Sequence, residues 1–271
     1  LIRYLMRHRH TTPFEMVEFK YHCKMPIFVA RQWVRHRTAN INEYSLRYSE
    51  ARDEFYYPDP ENIQFQSALN KQGRLGEVSD DLKKKVAKYF KEISDRSFEI
   101  YSELNSAGVA RELARAVLPV NLYTEWYWKN DLHNLLHFIG LRSDSHAQYE
   151  IRVFSDAMAT SVKKVAPFAW EAYQDYVVSG LRFSRVERGI LEKKLPKSVI
   201  EDLLEDLAYQ VTASLHHNKP RADKDLFPLY KKQGGTDSKS DFFLKWNSGE
   251  IEPGNVRELR EFKTKLKRLV K

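Results

Sequence analysis

The alternation of apolar and polar positions is clearest near the start of the chain. Val17, Phe19, Tyr21, Cys23 and Met25 fall on one side, whereas the residues between them are charged or polar. A period of two residues is typical of a strand with one face buried. The pattern therefore predicts a half-buried β-strand over residues 17–25.

Helical spacing predicts most of the other elements. The longest is a helix that Ser79 caps and Gly108 ends, with apolar residues at helical intervals between them. A helix over 27–37 is expected to end in a basic cluster. Shorter helices are predicted over 1–8, 109–118, 131–139, 146–165 and 167–179. Residues 38–48 indicate a loop with a short extended piece, and 53–78 indicate loops.

The character of the chain changes after about Glu187. Residues 191–216 predict one amphipathic helix, 217–255 are loop-like, and the last sixteen residues predict a basic helix. We therefore predict a compact domain over 1–187 and a helical extension over 188–271. Since the chain opens within a predicted helix and without a methionine, we also expect that a further N-terminal segment precedes it in the natural protein.

Charge and cysteine content narrow the range of partners and locations. The net charge of +8 and the pI of about 9.3 indicate an anionic partner, which is a nucleic acid, a membrane surface or a phosphorylated small molecule. The single cysteine, Cys23, allows no disulfide and no cysteine-based zinc site within one chain, and we expect it to be a buried structural thiol. No apolar run predicts a membrane span and no signal peptide is evident. A cytoplasmic location is the default expectation.

Polar functional groups are concentrated between residues 31 and 52. This stretch holds five arginines together with His36, Glu43, Ser45 and Tyr48. The ordinary interpretation of such a cluster is a solvated basic face. Here the neighbouring Trp33 anchors it to a core, and the planar guanidinium group binds phosphate through two oxygens at once. The cluster therefore favours a nucleotide pocket.

Several motifs carry a family resemblance. Residues 35–48, Arg-His-Arg-Thr-Ala-Asn-Ile-Asn-Glu-Tyr-Ser-Leu-Arg-Tyr, resemble the signature of flavin-dependent thymidylate synthases, with Asn40 in the place of the usual serine. Residues 6–15, 111–119 and 141–148 resemble three further motifs of this family, in the same order along the chain. The resemblance covers residues 1–187.

The resemblance implies a fold and a reaction. The fold is α+β, with a mainly antiparallel sheet surrounded by helices, in a homotetramer whose active sites are shared between subunits. The reaction is methylation of dUMP to dTMP, with 5,10-methylenetetrahydrofolate as the one-carbon donor and NADPH-reduced FAD as the hydride source. No nucleic acid, membrane or metal is implied.

The resemblance also assigns roles residue by residue. The expected catalytic residues are Arg142, which would favour ionisation of the pyrimidine at N3, and His10, which with Tyr48 would line the folate or nicotinamide side. The expected FAD contacts are Thr12, Arg35, His36, Arg37, Glu43, Asp131, His133 and His137. The expected dUMP contacts are Gln32, Arg35, Glu43, Ser45, Arg47, Tyr48, Arg115 and Arg142.

Three alternative interpretations compete with this assignment. His133 and His137 lie four residues apart on a predicted helix, but no third ligand is evident, so a zinc site is disfavoured. The basic charge and the aromatic residues would suit a nucleic-acid-binding module, although no motif of that class is present. Asn40 and the expected missing segment leave a catalytically inactive relative as the third interpretation.

Overall fold

The computed structural model describes residues 1–68, 73–194, 261 and 265. The chain divides into two compact units, one formed by Arg9–Ala166 and the other by Leu1–His8 with Pro167–Lys271. Most of the predicted helix over 191–216, the loop-like residues 217–255 and nearly all of the predicted basic helix lie outside the described residues. The domain boundary after residue 187 stays a prediction.

The elements follow one another in mixed order. The strands are β1 (Glu18–Pro26), β2 (Asn40–Glu43), β3 (Gln64–Gln66), β4 (Arg74–Glu77) and β5 (Tyr123–Asp131). The helices are α1 (Ile2–Arg7), α2 (Thr12–Glu15), α3 (Ile27–Trp33), α4 (Asp80–Ser106), α5 (Arg111–Ala114), α6 (Leu132–Arg142), α7 (Tyr149–Val165), α8 (Pro167–Tyr173) and α9 (Arg185–Lys194). Short 3₁₀ turns cover Pro60–Asn62 and Arg115–Val117, and a π-helical turn covers Gln174–Val178.

An antiparallel sheet in the order β1-β5-β2 forms the centre of the Arg9–Ala166 unit. In its register Cys23 and Glu43 both lie opposite Trp126, on the two sides of β5. The strands β3 and β4 form a separate antiparallel hairpin. The predicted α+β fold with a mainly antiparallel sheet among helices is confirmed.

The strand β1 appears where alternation predicted it, and its inward face becomes buried toward its second half. Cys23 is buried, as expected, and burial raises the pKa of its thiol to about 12. The thiol is therefore protonated at neutral pH and is a poor nucleophile.

An aromatic cluster around Trp33 joins α3 to the sheet. Trp33 is 0% exposed, and its ring centroid lies 5.5 Å from that of Trp126, 5.4 Å from Trp128 and 5.0 Å from Phe138. Phe154 of α7 closes the cluster at 5.5 Å. Offset and edge-to-face pairs of this kind stabilise beyond the area they bury. Trp126 and Trp128 are therefore packing residues of this core.

Helix boundaries agree with the sequence where capping chemistry is strong. The Ser79 hydroxyl accepts a hydrogen bond from the backbone N–H of Leu82 at 3.3 Å, and α4 begins at Asp80. At the other end Gly108 has φ +78°, which glycine adopts without steric cost. Both predicted ends of this helix are confirmed.

Other boundaries differ from the prediction. The helix α3 ends at Trp33 and not at Arg37, because the N–H groups of Arg35 and His36 bond three residues back, to Gln32 and Trp33, in a tightened turn. The helix predicted over 109–118 is reduced to α5 and a 3₁₀ turn. The helix predicted from His146 begins only at Tyr149.

The unit formed by Leu1–His8 and Pro167–Lys271 contains α1 and α8. Arg3 of α1 pairs with Glu171 at 3.1 Å and with Asp175 at 2.6 Å. Arg7 pairs with Glu261 at 2.8 Å. None of the helices within the described residues has the length and the apolar character needed to cross a membrane.

Candidate functional site

The C-terminus of α6 presents Arg142 to His36. The guanidinium Nε of Arg142 donates to Nε2 of His36 at 2.9 Å. A guanidinium group has only donors, so this ring nitrogen accepts and His36 carries its proton on Nδ1. The rings of His36 and Phe138 pack edge to face with centroids 4.8 Å apart. The contact therefore fixes the tautomer of His36 and the direction of Arg142 together.

The surroundings keep His36 neutral. Burial, the charge of Arg142 and the proximity of His137 lower the pKa of His36 to about 4. Burial also lowers the pKa of Arg142, although its ordinary value is so high that the group stays cationic near pH 7. A partly desolvated cation held by a neutral acceptor keeps its charge available for an anionic ligand.

We expect His36 to titrate well below the ordinary histidine pKa of 6.5. Because its folded pKa of about 4 lies below the ordinary value of 6.5, its contribution to stability is complete above pH 6.5 and is lost as the pH falls toward 4. Histidine-selective NMR of the protein and of His36→Gln identifies the resonance and its midpoint. The free energy of unfolding, measured with urea, should fall between pH 7 and pH 5 by more in the unsubstituted protein than in His36→Gln. A midpoint near 6.5 would contradict the proposed neutral acceptor.

A cleft of about 640 Å³ opens beside this contact. Its lining consists of Gln32, Gly140, Leu141, Arg142, Asp144, His146, Ala147 and Gln148. The Oε1 atom of Gln32 is buried and has no hydrogen-bond partner in the described part of the chain. An unpaired buried acceptor is costly, which indicates that a donor from a ligand or a water meets it. The cleft is thus lined by a cation, Arg142, and by Gln32, whose buried acceptor lacks a partner in the described residues.

One wall of the cleft is the turn over residues 143–148. The carboxylate of Asp144 accepts from the backbone N–H of His146 at 2.8 Å and meets its ring Nδ1 at 2.8 Å. The hydroxyl groups of Ser143 and Ser155 lie 2.8 Å apart. The sequence analysis assigned no role to Asp144 or Gln148, although both lie within the family motif at residues 141–148.

A second polar group forms around Arg47. Its guanidinium pairs with Glu112 at 3.1 Å, and its backbone N–H donates to the Ser45 hydroxyl at 3.3 Å. Arg115 donates to the Glu112 carbonyl oxygen at 3.4 Å. Tyr48, whose side chain is exposed, follows directly in the chain. Four expected nucleotide contacts therefore lie in one neighbourhood.

The remaining expected residues have separate positions. Glu43, at the end of β2, accepts from the buried Thr124 hydroxyl at 2.7 Å. Asp131 is the N-cap of α6, and its two carboxylate oxygens accept from the backbone and side chain of Asn134 at 2.8 and 2.7 Å. His133 and His137 lie on α6.

Exposed positions among the expected site residues include His10, Thr12, Arg35 and Arg37. Arg35 and Arg37 follow α3, and neither makes an ion pair among the described residues. Thr12 is the first residue of α2, and His10 precedes it. The described residues contain no group of three or more metal-binding side chains, and the absence of a metal stays a prediction.

The structure brings Gln32, His36 and Arg142 into one place, and Ser45, Arg47 and Arg115 into another. Within the described ranges no hydrogen bond or ion pair joins these two groups.

Comparison with known proteins relates these residues to a family. The family model described as thymidylate synthase complementing protein matches residues 1–168. A flavin-dependent thymidylate synthase of Ehrlichia ruminantium (strain Gardel) is 52% identical over 193 residues, which cover 71% of this chain and 65% of that protein. A flavin-dependent thymidylate synthase of Rickettsia conorii is 49% identical over 208 residues, covering 72% and 71%. The chain thus spans about two thirds of the length of such relatives.

Solved structures agree with the sequence comparison. The UMP/dUMP methylase PolB from Streptomyces cacaoi, bound with 5-Br UMP, superimposes with a TM-score of 0.61 at 35% identity, covering 64% of this chain and 80% of that one. The match supports the α+β fold described above. On the extent of the family match and the identity to its members, the chain belongs to the flavin-dependent thymidylate synthase family.

Proposed function

We propose that the protein methylates dUMP to dTMP, with 5,10-methylenetetrahydrofolate as the one-carbon donor and NADPH-reduced FAD as the hydride source. The observation that carries the proposal is the cleft lined by Arg142, which neutral His36 holds, and by Gln32, whose buried Oε1 has no partner in the described part of the chain. Membership of the family and the likeness to a UMP/dUMP methylase support the choice of substrate.

In this proposal Arg142 stabilises negative charge on the pyrimidine. Transfer of a one-carbon unit to C5 requires electron density on the ring, and a fixed guanidinium next to the N3 edge favours the ionised form. The hydrogen bond to His36 holds the guanidinium in place before the substrate arrives, so little reorganisation is needed. His10 is the second proposed catalytic residue, near the folate or nicotinamide.

The residues that we assign to FAD carry hydrogen-bond donors and positive charges that suit a flavin dinucleotide. Arg35 and Arg37 are exposed cations without a carboxylate partner in the described ranges, as a pyrophosphate requires. We assign Thr12, His36, Glu43, Asp131, His133 and His137 to the remaining FAD contacts. When bound, FAD would supply the hydride that completes the methyl group. The protein would contribute positioning and exclusion of water.

The nucleotide phosphate is assigned to the polar group around Arg47. Arg47 and Arg115 supply two cations and Ser45 a hydroxyl, and Tyr48 would line the folate side of the same pocket. We propose, as the family resemblance implies, that subunits of a homotetramer complete each other's sites, so that this group and the Arg142 cleft form one pocket. A cytoplasmic location, and the absence of nucleic-acid and membrane partners, belong to the same proposal.

Replacing Arg47 should weaken dUMP binding. Loss of a charge-assisted contact to phosphate costs about 1.5–3 kcal/mol, so Arg47→Ala should raise the Kd by about 10- to 100-fold. Titration calorimetry with dUMP measures this change.

The matched control is Glu112→Gln, which removes the same ion pair and keeps the cation. Its affinity for dUMP should equal that of the unsubstituted protein or exceed it. Equal affinities of Arg47→Ala and the unsubstituted protein would remove Arg47 from the phosphate site.

The overall proposal is tested by the absorbance spectrum of the purified protein and its response to NADPH without oxygen. Flavin bands that bleach with NADPH, at a rate that dUMP changes, would support flavin and nucleotide in one site. Formation of dTMP on addition of 5,10-methylenetetrahydrofolate would complete the test. A protein that takes up no added FAD would overturn the proposal.

A further inference from the structure

A buried carboxylate lies directly behind the cleft wall. Glu150, the second residue of α7, is only 6% exposed. Nη2 of Arg74 donates to both of its oxygens, at 2.7 and 2.6 Å, and the Tyr56 hydroxyl donates to Oε1 at 2.9 Å. Nε2 of Gln148 donates to Oε2 at 2.9 Å. Three donors from three separate segments therefore meet one carboxylate.

These donors keep Glu150 ionised. Burial by itself would raise the pKa of Glu150, but the hydrogen bonds from Arg74, Tyr56 and Gln148 outweigh it and hold the pKa below its usual value. An ionised carboxylate only accepts hydrogen bonds. The side chain of Gln148 must therefore turn its NH₂ group toward Glu150, and its carbonyl oxygen is left for another partner.

Gln148 is the residue that connects this network to the proposed site. Gln148 is one of the residues that line the same cleft as Gln32 and Arg142. It also lines a neighbouring cavity with Arg74. A glutamine without a neighbouring carboxylate can turn either its NH₂ group or its carbonyl oxygen toward a ligand, because the two orientations of the amide are nearly isosteric. The ion pair between Arg74 and Glu150 is weak evidence for stability by itself, because desolvation offsets most of its attraction.

We infer that Glu150 is a positioning residue: it orients Gln148 so that the cleft offers a carbonyl acceptor to an N–H or O–H donor of the bound nucleotide. The inference rests on the proposed function, which places dUMP in this cleft. Arg142 recognises negative charge, whereas an oriented Gln148 recognises a hydrogen-bond donor. Together, Arg142 and Gln148 would select a ligand that carries both a negative charge and a hydrogen-bond donor.

The experiment measures dUMP affinity and FAD content in four variants of the full chain. Gln148→Leu removes the amide and should raise the Kd for dUMP about tenfold with FAD content unchanged, as expected for one lost hydrogen bond. Glu150→Gln allows Gln148 to face either way and should raise the Kd about twofold, because the acceptor orientation is then populated only about half of the time. The double variant should be no weaker than Gln148→Leu, because Glu150 acts through Gln148.

The control is Tyr56→Phe, which removes one donor but leaves an ionised carboxylate facing Gln148. It should lower the Tm, as Glu150→Gln does, without changing the Kd. Gln148→Leu keeps the pair between Arg74 and Glu150 and therefore tests the inference even where Glu150→Gln fails to fold.

Unchanged affinity in Gln148→Leu, or additive losses in the double variant, would overturn the inference while the proposed function stands. Failure of the unsubstituted, FAD-loaded protein to bind dUMP would overturn both.

Discussion

Arg142→Ala should retain FAD and lose the formation of dTMP. Arg142 is not itself assigned to FAD, and of the residues that are, only His36 is its hydrogen-bond partner in the described part of the chain. The FAD content should therefore stay close to that of the unsubstituted protein. Turnover should fall by at least about 1,000-fold, since removal of a fixed donor from a site of developing charge has effects of about 100- to 1,000-fold even for a neutral group. Single-turnover assays with dUMP, folate and NADPH measure this loss.

Arg142→Lys separates charge from geometry. Lysine keeps the cation, but it has no Nε–H in the planar arrangement that meets His36. We expect a rate between those of the unsubstituted protein and Arg142→Ala. Retention of normal turnover in Arg142→Ala would refute the proposed role.

Trp33→Ala should destabilise the Arg9–Ala166 unit more than any substitution at the site. Trp33 is 0% exposed and packs against four aromatic rings, so truncation leaves a large cavity. The expected loss in the free energy of unfolding is about 3–5 kcal/mol. Urea unfolding followed by far-ultraviolet circular dichroism measures it without depending on tryptophan emission.

Tyr89→Ala provides the control, because this aromatic side chain is 53% exposed on α4. Its effect should stay within about 0.5 kcal/mol. Trp33→Phe keeps part of the packing and should fall between the two. A loss below about 1 kcal/mol in Trp33→Ala would mean that the aromatic cluster relaxes around the cavity.

The difference between β1 and β5 shows what the sequence could predict of the fold. In β1 polar residues alternate with apolar ones, and the strand was predicted. In β5, which pairs with both other strands of the sheet, the buried positions include Thr124 and Asn130, whereas the exposed side includes the aromatic Tyr127. Alternation in burial is therefore not matched by alternation in hydrophobicity, and the central strand was missed.

The candidate site, too, could be predicted from the sequence only in part. The sequence supplied Arg142 and His36 through the motifs that contain them, but their contact joins residues 106 positions apart and depends on the early end of α3. The contact of Glu150 with Gln148 was not predicted, because an isolated glutamate in a helix is usually exposed to solvent. Its burial depends on Arg74, which is brought to it by a hairpin from a distant part of the chain.

The direct passage from β5 into α6 has a consequence for insertions and deletions. Asp131 ends the strand and caps the helix, so no loop lies between the sheet and Arg142 at the far end of α6. One residue added within α6 would turn Arg142 by about 100° and advance it by about 1.5 Å relative to the sheet. Natural variation in this part of the chain should therefore consist of substitutions, while changes in length should be confined to the surface loops before β5 and after α6.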